Sequence, residues 1–309
     1  MKIQNFISNI GYFFRIKKFS FLANIFYLLS IFINKKNFNS LFKYADFLVE
    51  WKKFNKAEKI YLQIIDNASQ QEQSNALYYL AILSFNNRLN ENIGNLFKKS
   101  YEKKMGENLT FLKSFYPPFI IRLKINQENE INLNDLIEKF HNYENENSKT
   151  SYSTHGHINT YQSNHDLNKN PNFFKVTNFI EQNINKTIKT KIFKKTDDIS
   201  DIKIKKMWFV ISRTGSKMNK HMHHGFLSGV FYLKVSSNDK PGFIEFNNPQ
   251  KNIKVYDIDK NIEQINKDEI ISIKPSKNEL IIFNSYLEHW VVDNESKESR
   301  ISLPWDAEY

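Results

Sequence analysis

The sequence predicts an α+β multidomain chain, an N-terminal helical repeat domain followed by a jelly roll of short strands. Three observations carry that expectation. Residues 39–106 hold two helical segments that superpose at a spacing of 36 residues. Residues 207–306 break into short runs rich in β-branched and aromatic side chains, separated by turn-forming clusters. Between them, Pro117 and Pro118 end any helix, and a polar stretch after Tyr143 reads as a connection. The expected divisions are 1–125 for the helical repeats, 126–150 for a helix and linker, and 151–309 for the strands.

The chain of 309 residues is long enough for two domains and a sizeable core. Lys, Asn, Ile and Phe are heavily used while Gly and Pro number only 8 and 7, a bias read as genomic because the favoured residues share AT-rich codons. That weakens any argument from the net charge of +11. A basic chain suits nucleic acid or an anionic membrane surface, but Lys greatly outnumbers Arg and no aromatic-basic motif accompanies it. The densest basic run, residues 185–206, also holds Asp197, Asp198 and Asp201 and reads as a solvated face, so nucleic acid is not an expected partner. Cysteine is absent, which excludes a disulfide framework and thiolate metal sites. Any metal must therefore use His, Asp or Glu.

The first element is a nearly unbroken apolar run at 19–33, flanked by Arg15, Lys17 and Lys18 before it and Lys35 and Lys36 after it. A spanning helix needs ~20 apolar residues, and Ser20, Asn24 and Ser30 interrupt this shorter run. No small-residue cleavage site follows. The expected reading is a buried helix packing on the next repeat in a cytoplasmic protein, with interfacial membrane attachment as the alternative. The two segments that follow align Ala45 with Ala81, Ala57 with Ile93 and Tyr61 with Phe97. Small residues where helices touch are what stacked hairpins require, and the spacing resembles a tetratricopeptide (TPR) array of nominally ~34 residues, with an insertion at SQQEQ. Because ~3 repeats are usually needed for stability, 19–33 and 111–123 are expected to cap the stack. The array serves either a protein partner or the support of the second domain.

A helix carrying Leu136, Ile137, Phe140 and Tyr143 lies in 126–151, and His141 on it is a packing or surface residue. Residues 154–167 bring His155, His157 and His165, which are read as a lead into the strands rather than ligands. Residues 173–188, with Val176, Phe179, Ile180 and Ile184, read as an amphipathic helix bracing the strands from outside. The strands MWFVISR, KHMHH, LSGVFYLKV, GFIEF, KVYDI, EIISIK, ELIIFN, HWVVD and RISLPW then suit a double-stranded β-helix, the cupin-like jelly roll with a pocket between its sheets.

Three of the eight histidines fall in HMHH, residues 221–224. A strand sends i and i+2 to one face, so His221 and His223 point together, and His289 supplies a third imidazole from a neighbouring strand. Arg300 lies beyond. Two ligands from one strand, one from another and a nearby cation is the layout of a mononuclear iron site with an anionic co-substrate. His224 is expected off that face, and Trp208 and Trp290 in the core. A surface pairing of Arg300 with Glu298 or Glu288, and a metal carboxylate brought by Glu245, are the weaker readings.

The ordered pieces H-x-H, S-G-V-x-Y-L, G-x-x-x-F, P-x-x-x-x-L-I-x-F, H and R-x-S, over roughly the last hundred residues, resemble the 2-oxoglutarate/Fe(II) oxygenases of the prolyl- and aspartyl-hydroxylase type. The resemblance implies hydroxylation of a peptide side chain or small molecule, with Fe(II), 2-oxoglutarate and O₂, ascorbate as an accessory reductant, and release of succinate and CO₂. It implies His221, His223 and His289 as metal ligands, and Arg300, Ser302 and Tyr232 as the 2-oxoglutarate site. Arg suits that carboxylate better than Lys because its planar fork donates in parallel. In the family's usual triad a carboxylate stands where this chain has His223. The site is therefore a three-histidine one, a two-histidine one completed by water, or one that has lost its metal. A non-catalytic jelly roll recruiting a partner through the repeats, and a three-histidine cupin that does not use 2-oxoglutarate, are the competing functions.

Overall fold

Helical spacing of apolar residues folds the first part of the chain into successive helices in the computed structural model. These are α1 (Ile3–Ile16), α2 (Ser20–Ile33), α3 (Phe38–Glu50), α4 (Phe54–Asn67) and α5 (Gln70–Asn87), each packed on the next except at breaks in the described chain. The structure describes residues 3–17, 19–87, 93, 95–96, 99–100, 103, 118–125, 132–147, 158–192, 201–223, 226–236 and 240–308. The positions aligned by the 36-residue spacing are interior ones: Ala45, Ala57, Tyr61, Ala81 and Ile93 are all buried. Phe97 lies outside the described residues. Tyr61 stacks on Tyr79 at 6.0 Å between ring centroids and donates its hydroxyl to Asp46. The SQQEQ insertion is the start of α5. The Ser69 N–H donates to the Glu72 carboxylate at 3.1 Å and the Glu72 N–H to Ser69 Oγ at 3.5 Å, a reciprocal capping box.

The chain divides into units at Met1–Tyr116 and Pro117–Tyr309, earlier than the expected boundary after residue 125. The difference is a strand. Residues expected to cap the helical stack instead form β1 (Phe119–Lys124), which pairs antiparallel with β10 (Glu279–Asn284) and parallel with β7 (Lys254–Asp257). A short apolar run after prolines cannot be assigned by periodicity alone, and here both faces of the run are covered, with Phe119, Ile120 and Ile121 buried. The expected linker also belongs to the second unit. Its helix α6 (Leu133–Glu146), capped by Asn132, stacks Phe140 on Phe209 at 4.3 Å between centroids.

The remaining elements of the second unit are β2 (Ile158–Gln162), α7 (Phe174–Lys191), β3 (Lys203–Met207), β4 (Val210–His221), β5 (Leu227–Lys234), β6 (Ile244–Asn247), β8 (Ile262–Ile265), β9 (Ile270–Ile273), β11 (His289–Val291) and β12 (Arg300–Glu308). As expected, α7 braces the sheet through Val176, Phe179, Ile180 and Ile184, all buried. The strand order β8-β7-β1-β10-β5-β12-β4-β11-β6-β9 is that of a curled, almost wholly antiparallel jelly roll. The runs MWFVISR and KHMHH, expected as separate strands, are joined in β4. Its first half pairs with β12 and its far end with β11, so one strand carries the chain from one sheet to the other. Gly229 on β5 makes the interior possible. A Cβ there would lie 2.2 Å from the Trp305 indole and 2.4 Å from the Ile281 carbonyl oxygen, so only glycine fits.

Candidate functional site

The far end of β4 places the first imidazole. His221 is the register partner of His289 on β11, and their ring centroids lie 4.3 Å apart. β4 ends at His221, so His223 joins them by another route than strand alternation. Its N–H donates to the Ser285 carbonyl at 3.0 Å, and its ring comes within 5.0 Å of His221 and 5.2 Å of His289. One ring nitrogen from each of the three lies within 4.8 Å of the others. Phe283 and Phe246 pack against His289, which is buried. His224 lies outside the described residues, as do His155 and His157.

Each of these rings has an acceptor at Nδ1. The Asn219 carbonyl lies 2.9 Å from that of His221, the Leu287 carbonyl 2.8 Å from that of His289, and the Asp306 carboxylate 3.0 Å from that of His223. Carbonyls and carboxylates only accept, so Nδ1 carries the proton and Nε2 is the basic nitrogen of each ring. That is the tautomer a divalent metal takes, and such outer contacts commonly fix it. The donor set, three imidazoles with one carboxylate behind, fits Fe(II).

Asp306 is the residue that the sequence reading missed. Besides His223 it accepts from Ser228 Oγ at 2.7 Å, and Ser228 in turn meets Ser285 Oγ at 2.8 Å. Burial alone would raise this carboxyl; the hydrogen bonds from His223 and Ser228, with the charge of Lys206, outweigh it and hold Asp306 below the ordinary carboxylate range. A signal was present. Arg300, Ser302, Pro304 and Asp306 are alternate residues of β12 and all line one cavity of about 220 Å³ with the three histidines. The expected strand stopped one residue short, at Trp305. Glu245, the carboxylate considered instead, is the register partner of Trp290, while Phe246 is that of His289. Strand alternation therefore turns Glu245 to the other face. Trp208 lies against the cavity, its ring 5.8 Å from that of His223, and Trp290 is half-buried under Lys220 rather than in the core. His165 also reaches the cavity, held to Gln162 at 2.6 Å.

The other end of the cavity is cationic. Arg300 is buried, with Nη1 donating to the Pro241 and Gly242 carbonyls and Nη2 to Ser212 Oγ at 3.3 Å. Gly242 holds a φ of +75°, the left-handed turn that aims its carbonyl there. Among the described residues no carboxylate pairs with this guanidinium, and its buried Nε has no partner. The surface ion pair with Glu298 or Glu288 is therefore not formed. Burial pulls the Arg300 pKa below its usual value, and burial pushes the Tyr232 phenol up to about 12 against the lowering effect of Arg300. The guanidinium sits 5.9 Å from the Tyr232 ring centroid, and Tyr232 and Ser302 are register partners across β5 and β12.

Residues 206–306, about a third of the chain, match the family model described as "Putative 2OG-Fe(II) oxygenase". No curated protein matches the sequence. Among solved structures, this chain is similar to a Pseudomonas putida prolyl-4-hydroxylase, at 12% identity and a TM-score of 0.40 over 62% of this chain and 94% of that one. A Trichoplax adhaerens prolyl hydroxylase in complex with a hypoxia inducible factor peptide fragment is similar at 11% identity and 0.39, over 60% and 83%. The carbocyclase SnoK of nogalamycin biosynthesis is similar at 7% and 0.44, over 64% and 84%.

Proposed function

We propose that the matched segment, a 2OG-Fe(II) oxygenase domain, makes this chain a hydroxylase in which His221, His223 and His289 hold Fe(II) while Arg300, Ser302 and Tyr232 hold 2-oxoglutarate. When bound, the metal and 2-oxoglutarate would activate O₂, the oxidant, one oxygen atom going into succinate as 2-oxoglutarate loses CO₂ and the other into the hydroxylated substrate. The substrate is a peptide side chain or a small molecule entering beside Trp208 and His165.

The observation that carries this reading is the buried Arg300, with which no carboxylate among the described residues pairs. A charge removed from water is costly unless paired, and a guanidinium with an unpartnered Nε beside an open cavity is completed by an anion with two oxygens. Ser302 and Tyr232 add hydroxyls on the same wall. Asp306 supplies through His223 the negative charge that a carboxylate ligand would bring directly, and it fixes the ring so that Nε2 faces the metal. Phe283 and Phe246 keep water from the buried ligand His289.

The test is anaerobic. Protein loaded with Fe(II) should bind 2-oxoglutarate with a weak visible charge-transfer band, and slow release of succinate should follow the admission of air. Iron binding with neither band nor succinate would overturn the hydroxylase reading.

A further inference from the structure

The α1–α2 hairpin is turned inside out. On α2 the exposed positions are Phe21, Leu22, Ile25, Leu28, Leu29, Phe32 and Ile33, one continuous stripe at helical spacing with no polar residue in it. The polar residues of the same helix face the protein. Ser30 is fully buried and donates to the Gln4 carbonyl at 2.8 Å while meeting Ser40 Oγ at 2.7 Å, and Asn24 accepts from the Tyr44 hydroxyl at 3.1 Å. α1 follows the pattern in part, with Ser8 and Gly11 inside, Gly11 against the Tyr27 ring, and Ile3, Phe6, Tyr12 and Phe13 outside together with one polar residue, Asn9, which accepts from Lys43. Eleven of the eighteen exposed large apolar side chains among the described residues lie in these two helices, and a twelfth, Phe19, lies between them.

Water-facing helices show the opposite polarity. Small and polar residues between helices with apolar residues outside is the arrangement helices take when their surroundings are hydrocarbon. The charges agree. Residues 1–45 contain Lys2, Arg15, Lys17, Lys18, Lys35, Lys36 and Lys43 but no acidic residue. Arg15 is taken by Glu50 of α3, whereas Lys17 closes α1 and Lys35 and Lys36 follow α2, all three exposed, so cations stand at both ends of the apolar stripe.

We infer that the α1–α2 hairpin docks this protein on a bilayer surface rich in anionic lipid, its apolar stripe among the acyl chains and its terminal lysines at the headgroups. Fourteen residues reach about 21 Å at 1.5 Å per residue, short of the ~30 Å hydrocarbon thickness. No described helix is long and apolar enough to cross a membrane, so the hairpin lies in one leaflet. Lys17, Lys35 and Lys36 would snorkel to anionic phosphates, as lysines at such boundaries do. A second copy of the chain fits this face less well, because self-pairing sets lysines against lysines with no acid to separate them. The inference is independent of the oxygenase reading.

The experiment is flotation of the full-length protein with phosphatidylcholine vesicles, with and without phosphatidylserine. The wild type should float with the anionic vesicles and be released by high salt only in part, since the apolar term remains. Phe21→Glu/Phe32→Glu changes two of the most exposed side chains of the stripe, at 75% and 79%, and should lower the bound fraction at least ~10-fold without altering circular dichroism. Lys35→Glu/Lys36→Glu should abolish the preference for phosphatidylserine. A Phe21→Trp probe should shift its emission to the blue on anionic vesicles. Wild type that does not float, a probe that does not shift, or a dimer in solution that the Phe21→Glu/Phe32→Glu variant dissolves would each overturn the inference.

Discussion

At residue 223 the chain has an imidazole where the usual iron triad has a carboxylate, and on the proposed reading Asp306 compensates for the change. An imidazole in place of a carboxylate leaves the metal with one less negative charge. Asp306, 3.0 Å from Nδ1 of that imidazole, would return it from the far side of the ring. His223→Asp should therefore keep Fe(II) or Co(II), because a carboxylate is a legitimate third ligand. Asp306→Asn should weaken Co(II) binding by ~10- to 100-fold, the usual cost of losing such an outer contact. Calorimetric titration with Co(II) reads both. Equal affinity in wild type, His223→Ala and Asp306→Asn would place neither residue at the metal. The meeting of the three histidines and Arg300 at one cavity was legible in the sequence, because strand spacing and a few residue types suggest it. The contact of Asp306 with His223 was not, because it depends on how far β12 extends and on the path of the chain after β4.

Among the elements, β5 is the most constrained. Its S-G-V motif places Gly229 opposite Trp305, where the indole and the Ile281 carbonyl together fill the space of any Cβ. Gly229→Ala should cost ~3 kcal/mol, the upper end for overpacking a core, seen as a lowered denaturation midpoint with unchanged slope. Trp305→Phe added to it should not restore stability, because the backbone clash with Ile281 persists. A neutral Gly229→Ala would mean that β5 and β10 can part more easily than this packing implies. The helix periods of α3, α4 and α7 were legible for the opposite reason. Each buries one stripe, and a stripe is visible in sequence. β1 was not, since a strand covered on both faces shows no alternation.

Across the whole molecule the boundary between the units is the part the sequence misplaced, and it has a measurable consequence. β1 lies between β7 and β10 and buries Phe119, Ile120 and Ile121 completely or nearly so. At ~1.5–3 kcal/mol for each such side chain, its loss would remove an amount comparable to the ~5–15 kcal/mol stability of a domain. A fragment of residues 117–309 should unfold cooperatively, and one of residues 126–309 should not. Equal stability of the two would make β1 an accessory strand. The cavity lined by this unit is the proposed Fe(II) site, with an anion bound by a buried guanidinium. The most direct test of that assignment is the affinity of the Fe(II)-loaded protein for 2-oxoglutarate, measured anaerobically for wild type and Arg300→Lys. Lys is a point charge that cannot donate two parallel hydrogen bonds, so the variant should keep its iron and lose at least ~10-fold in 2-oxoglutarate affinity, about 1.4 kcal/mol. Unchanged affinity with iron retained would show that Arg300 holds no carboxylate and would contradict the account.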